Sequence, residues 1–223
     1  QDMIRDSYLE VLNATLEKGL SRGKWTIFGD FSMQAIYTDG MTGTQMIEKL
    51  EDQTSFIRFK LTVNCRNTRP ICREIETVTG FKAPSDLWTK VDGPPVQYIT
   101  WSTMEGQCGK LKALLKQLDD SRIPPEQITI LSPRKREDSV VSLLEGYTIK
   151  DYKVPPGLNT SFCTIQAYKG LENVVIILTD IENYESEKLM YVGLSRACSG
   201  LFVLESDAAK REYDSLLIRR LMQ

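Results

Sequence analysis

Histidine is absent from the 223 residues. Acid, base and charge-stabilising chemistry therefore falls to carboxylates, lysines and arginines, and the usual imidazole zinc sites are excluded. Four segments gather such groups. Gly29-Asp30-Phe31-Ser32-Met33-Gln34-Ala35-Ile36-Tyr37 follows an apolar run; Asp30 and Gln34 there either face a phosphate or, more simply, Asp30 caps the next helix. Asn64-Cys65-Arg66-Asn67-Thr68 sets an arginine between an expected strand and an expected helix, where Asn67 or Thr68 would serve equally as a plain cap. Thr164-Ile165-Gln166-Ala167-Tyr168-Lys169-Gly170-Leu171-Glu172 reads as a strand end, a loop and a new strand. Its polar groups then cluster at a strand's carboxyl end, where open α/β sheets hold ligands, unless Lys169-Gly170 is an ordinary exposed turn. Tyr191-Val192-Gly193-Leu194-Ser195-Arg196-Ala197 places Arg196 late in an expected helix, a position the helix dipole accounts for by itself.

Gly106-Gln107-Cys108-Gly109-Lys110-Leu111 imitates a phosphate loop and is rejected as one. Its glycines are too close together, and Leu111 stands where a magnesium-holding Ser or Thr is required. No other segment has the spacing of a Walker A loop.

The elements that must carry these residues alternate between apolar runs and helical patterns, which implies a parallel sheet wrapped by helices. Residues 3–18 have apolar positions near helical spacing. Strands are expected at Lys24–Phe28, Phe56–Leu61, Val96–Trp101, Ile128–Leu131, Phe162–Ile165, Val174–Thr179 and Leu201–Leu204. Helices are expected at Arg69–Thr79, Cys108–Leu118, Arg136–Leu144, Ser186–Ala197 and from Asp207 onward. Gly80–Pro95 reads as a connecting loop, and a boundary falls near residue 60.

Composition is that of a globular protein, 41% hydrophobic and 26% charged. No apolar run approaches the roughly 18 residues of a membrane helix, so no membrane partner is expected. Five widely spaced cysteines without a Cys-x-x-Cys pair read as reduced thiols, mostly buried, in a cytoplasmic protein. The net charge of −2 does not advertise a nucleic-acid binder, although a local Lys/Arg groove suffices for one.

In this order and on these elements, the four segments resemble the later motifs of superfamily 1 helicases of the UvrD/Rep/PcrA type. Gly29 to Tyr37 is similar to motif III and Asn64 to Thr68 to motif IV. Thr164 to Glu172, with its Lys-Gly-Leu-Glu, is similar to motif V, and Tyr191 to Ala197 to motif VI. Gln1-Asp2 resembles the end of motif II, which implies that the magnesium-binding Asp, the water-activating Glu and the Walker A loop stand upstream. The resemblance implies an α/β, RecA-like (P-loop NTPase-type) parallel sheet flanked by helices. Residues 1–60 would be the tail of the first RecA-like domain, and residues 61–223 the second motor domain.

Roles follow from the resemblance by position. Gln34 would sense the γ-phosphate and its attacking water, and Arg66 and Arg196 would reach that phosphate as arginine fingers. Glu172 would accept a hydrogen bond from the ribose, with Asp30 and Gly170 also at the nucleotide. Thr164, Lys169 and Tyr37 would lie along the nucleic acid. ATP and Mg2+ would be bound mainly by the N-terminal RecA-like domain of the same protein, no metal being held here. The track would be single-stranded or partly duplex DNA, followed 3′ to 5′. Two departures are plain: Cys65 replaces the usual adenine-packing Tyr, and Thr38-Asp39 replace an Arg-aromatic pair. A nucleotide-driven regulatory or defence switch, or a degenerate module kept for protein contacts, are the competing expectations.

Overall fold

In the computed structural model the described residues are 4, 6–29, 42–61, 63–81, 86–87, 92–153 and 157–222. The chain divides into two compact units, Gln1–Leu61 and Thr62–Gln223.

The first unit carries helices α1 (Asp6–Thr15), α2 (Gly19–Arg22) and α3 (Gly43–Glu51). A capping box starts α3: Thr42 Oγ1 accepts from the Gln45 amide at 3.2 Å, and Gln45 Oε1 accepts from the Thr42 amide at 2.8 Å. Ile4, Leu9, Leu20, Met46 and Leu50 form a small core, against which Trp25 and Phe56 pack. The expected strands Lys24–Phe28 and Phe56–Leu61 do not form. Trp25, Ile27 and Phe56 pack on the core, while Phe28 at 78%, Ile57 at 81%, Phe59 at 86% and Leu61 at 76% stay exposed. A segment becomes a strand when another backbone takes up its amides and carbonyls, and neither segment has such a partner among the described residues.

The second unit opens with β1 (Val63–Asn64), α4 (Arg69–Thr79) and β2 (Asp86–Leu87), the two short strands pairing in parallel. There follow β3 (Gln97–Trp101), α5 (Met104–Asp120), β4 (Ile128–Ser132), β5 (Lys150–Asp151), β6 (Ser161–Thr164), β7 (Asn173–Ile181), α6 (Glu187–Leu194), β8 (Ala197–Ser206) and α7 (Asp207–Leu221). The main sheet has six strands in the order β3-β8-β7-β4-β6-β5, every pair parallel. Both faces are covered, as the unbroken apolar run of β7 requires. Val175 and Ile177 join the core beneath α5, while Ile176 and Leu178 on the opposite pleat are fully buried as well. This is an α/β fold with helices on both sides of a parallel sheet.

Three expected elements change. The helix over Arg136–Leu144 is two 3-10 turns, Arg136–Asp138 and Val140–Leu143. Ser139 separates them in an extended conformation and turns its hydroxyl to Asp180 at 2.6 Å. The helix over Ser186–Ala197 stops at Leu194, and β8 starts already at Ala197. Gly106 to Leu111 lies inside α5, whose N-cap Thr103 accepts from the Gly106 amide at 3.0 Å. No helix among the described residues is long and apolar enough to cross a membrane.

Candidate functional site

The segment before α4 is a side-chain-built turn. Asn64 Oδ1 accepts from the amides of Arg66 at 2.9 Å and Asn67 at 3.0 Å, an Asx turn that aims Arg66 outward. Thr68 occupies the N-cap position with extended backbone, but its side chain makes no capping bond. Neither expected cap acts through its side chain; that of Asn67 is engaged elsewhere, its Oδ1 accepting from Asn64 Nδ2 at 3.1 Å. Asn67 Nδ2 donates to the carbonyls of Ser195 at 3.1 Å and Ala197 at 2.7 Å. The turn before α4 is thereby fixed to the turn between α6 and β8.

Thr164 ends β6 in register with Ser132, at the carboxyl end of the sheet. The chain then crosses the sheet, and Glu172 immediately precedes Asn173 at the amino end of β7. The expected cluster at one carboxyl end is thus split: Thr164 and Glu172 stand at opposite ends of the sheet. The crossing is held by Tyr168, fully buried, whose hydroxyl donates to the Glu172 carbonyl at 3.1 Å. Gly170 turns the chain at φ +87°, where a side chain is strained. Lys169 beside it is half-buried.

Arg196 lies just past the C-cap of α6, not within the helix, and still serves its carboxyl end by bonding a last-turn carbonyl. It is fully buried. Its Nε donates to the Val192 carbonyl at 2.9 Å, Nη1 to the Leu171 carbonyl at 3.0 Å and Nη2 to Ser195 Oγ at 2.8 Å. Burial, and then the neighbouring Arg66 guanidinium, pull its pKa down to about 10. Arg66 forms a salt bridge with Glu172, their side chains 34% and 50% exposed. Burial pushes the Cys198 thiol up, with the Glu172 carboxylate adding to the rise and Arg66 and Arg196 opposing it.

Arg66, Glu172 and Arg196 therefore form one group at the amino ends of β7 and β8. Arg66 and Glu172 present a cation and a hydrogen-bond acceptor to solvent, and Arg196 braces the backbone beneath them. A cleft of 410 Å³ adjoins Glu172, its walls including Tyr152, Tyr168, Asn159 and Ser161. Asp30, Gln34 and Tyr37 lie outside the described residues. Among the described residues no cluster of His, Cys, Asp or Glu is placed to hold a metal ion.

Sequence reasoning missed a second polar centre at the carboxyl end of β7. Asp180 is buried at φ +59°, an uncommon conformation for a residue with a side chain. Its Oδ2 accepts from Ser132 Oγ at 2.7 Å, Ser139 Oγ at 2.6 Å and Thr179 Oγ1 at 3.2 Å. Its Oδ1 accepts from the Val140 amide at 3.1 Å. The Gln107 amide, oriented to suit, donates to Oδ1 at 3.2 Å and accepts from the Asp180 amide at 2.7 Å. The signal was present: a carboxylate inside the apolar run Val174–Ile181 needs a reason to be there. The cross-chain role of Asn67 had no such signal, since its local pattern fits a cap.

No protein-family model matches the chain, and no curated protein matches it in sequence. Solved structures do match. The C-terminal domain of a possible DNA helicase from Lactobacillus plantarum WCFS1 superposes with a TM-score of 0.51 at 16% identity, over 69% of this chain and 96% of that domain. The nsp10 helicase of PRRSV gives a TM-score of 0.36 at 14% identity, over 83% of this chain and 37% of that one. The first of these likenesses carries the fold, a RecA-like α/β sheet.

Proposed function

We propose that this chain is part of the motor of an ATP-driven superfamily 1 helicase or translocase acting on DNA, moving 3′ to 5′ along a single strand. The observation that carries the reading is the convergence of Arg66, Glu172 and Arg196. The first two pair across 106 positions of sequence, and Arg196 donates to the carbonyl next to Glu172. Three segments that resemble separate helicase motifs thus build one surface.

Phosphoryl transfer asks little covalent chemistry of a protein, and charge placed on the transferring group supplies much of the rate. In this reading Arg66 is the guanidinium that meets the γ-phosphate, and Glu172 accepts from a ribose hydroxyl. Arg196 stands directly behind them, and reaching the phosphate itself requires it to leave its three acceptors. Gly170 gives the loop the turn that presents Glu172. Thr164 and Lys169 serve the nucleic acid, with Tyr37, while Gln34 and Asp30 serve the nucleotide. The 223 residues contain no phosphate loop, so the proposal requires a further RecA-like domain of the same protein to hold ATP and Mg2+.

A nucleotide-driven switch with little unwinding is the second reading, favoured by Thr38-Asp39 where the resembled motif has an Arg-aromatic pair. The test is the ATPase rate of the protein carrying both RecA-like domains, with and without single-stranded DNA. Strong stimulation is the expected result. Hydrolysis indifferent to DNA selects the switch, and no hydrolysis at all removes both readings.

A further inference from the structure

We propose that the cleft beside Glu172 receives the nucleobase of the bound nucleotide, with Tyr152 as its aromatic platform. The inference rests on the reading of Arg66 and Glu172 as nucleotide contacts and extends it to the part of the ligand that neither residue touches.

Position comes first. Glu172 takes part in two structures at once: its carboxylate pairs with Arg66, and its side chain lines the cleft. A nucleotide whose phosphates meet Arg66 and whose ribose meets Glu172 has its base directed onward into that space. The volume, 410 Å³, lies in the range of about 300–1,000 Å³ typical of small-molecule sites.

Charge argues next. The walls carry the carboxylates Glu126, Asp151 and Glu172 and the ammonium groups of Lys150 and Lys153, and two of those carboxylates are already paired, Asp151 with Arg136 and Glu172 with Arg66. With those pairs made, the lining carries only a small net charge. It suits an uncharged group with polar edges, and Asn159 and Ser161 offer such edges hydrogen-bonding partners.

The platform is the third point. A base needs a flat surface to stack on, and no residue from Asn64 to Thr68 is aromatic. Tyr152 supplies one. Its ring is half-buried and meets Tyr168 at 5.0 Å between centroids and 86° between planes. Tyr168 is itself fully buried, and its hydroxyl holds the Glu172 carbonyl. The same tyrosine therefore braces both the platform and the backbone of the ribose acceptor, so their spacing is set before a ligand arrives. That preorganisation lowers the ordering cost of binding.

The experiment compares ATP with inorganic tripolyphosphate as ligands of the protein carrying both RecA-like domains, by equilibrium binding and competition. Tyr152→Ala is expected to weaken ATP about tenfold, the scale of losing one base–aromatic stack, and to leave tripolyphosphate unchanged. Tyr152→Phe, which keeps the ring, is expected to bind ATP as the parent does. Unchanged ATP affinity in Tyr152→Ala overturns the proposal, and so does an equal loss for both ligands, which would mark general damage. A parent protein that binds tripolyphosphate but gains nothing from the nucleoside overturns it too, while leaving the phosphate contacts standing. Failure of the parent to bind either ligand removes the nucleotide reading itself.

Discussion

The side-chain amide of Asn67 donates to the carbonyl of Ala197 at 2.7 Å, across 130 positions of sequence. With its second bond to the Ser195 carbonyl, it satisfies two acceptors that flank Arg196 on either side. The geometry of Arg196 is therefore set from the turn that carries Arg66. Asn67→Ala leaves both carbonyls short of a donor in a buried place and is expected to cost about 1–3 kcal/mol. Chemical denaturation of this chain measures it; an unchanged midpoint would mean that the bridge contributes nothing.

Arg66→Ala, in the protein carrying both RecA-like domains, is expected to lower ATP turnover by at least about 10³-fold, the scale of an arginine finger. Its solvent-reached pairing with Glu172 predicts little change in melting temperature, since ion pairs of this kind contribute about 0–1 kcal/mol. Arg196→Ala is expected to lose both turnover and stability, because a fully buried guanidinium leaves its acceptors unpaired. Wild-type turnover in Arg66→Ala would remove the finger assignment.

Gly170 is at φ +87°, and an added Cβ would meet no atom within 4 Å. The cost of Gly170→Ala is therefore backbone strain without a clash, about 1–2 kcal/mol. Relaxing that strain would shift Glu172, so the KM for ATP should rise more than kcat falls. A stability equal to the parent's would show that the turn tolerates a side chain.

Asp180→Asn replaces one acceptor oxygen by a donor, facing the hydroxyls of Ser132 and Ser139 or the Val140 amide. Thermal unfolding should detect a loss of about 1–3 kcal/mol or more. Asparagine accepts positive φ nearly as readily as aspartate, so the loss reports hydrogen bonding and not backbone strain. A variant as stable as the parent would show that the buried network makes no net contribution.

Burial pushes the Glu74 carboxyl above its ordinary 4.5, while hydrogen bonds from Tyr98 and Tyr213 oppose the rise. Tyr98 Oη donates to Glu74 Oε1 at 2.6 Å, and Tyr184 and Glu205 stand in the same cluster. A carboxyl with a raised folded pKa stabilises the protein fully below 4.5, and that contribution is lost as pH rises through the folded value. Glu74→Gln keeps an acceptor for Tyr98 and carries no charge. Its melting temperature relative to the parent should therefore climb between pH 4.5 and neutrality. A difference that stays flat with pH would show that Glu74 does not titrate late.

Local pattern was enough for α4, α5 and the longer strands of the second unit because their signals are local. The apolar spacing of Ile71, Ile75 and Val78 places α4 at Arg69–Thr79, and the run Val174–Thr179 marks the strand that became β7. Where an element depends on a distant partner, pattern misleads. Phe56–Leu61 has the apolar content of a strand, but a strand is completed by another backbone, and none pairs with it among the described residues. Ser139 has the spacing of a helix interior, but a carboxylate 41 positions away accepts its hydroxyl.

The same division holds for the candidate site. The order of four segments that resembles helicase motifs marked out Arg66, Glu172 and Arg196, whereas residue type by itself left each a plain structural reading. Their arrangement is a property of the folded chain. The crossing from Thr164 to Glu172 carries those residues to opposite ends of the sheet, and the turn after α6 buries Arg196 fully while Arg66 keeps about a third of its side chain in solvent, 34%. Exposure and direction come from which backbones surround a side chain, and that is settled when segments more than a hundred positions apart pack together.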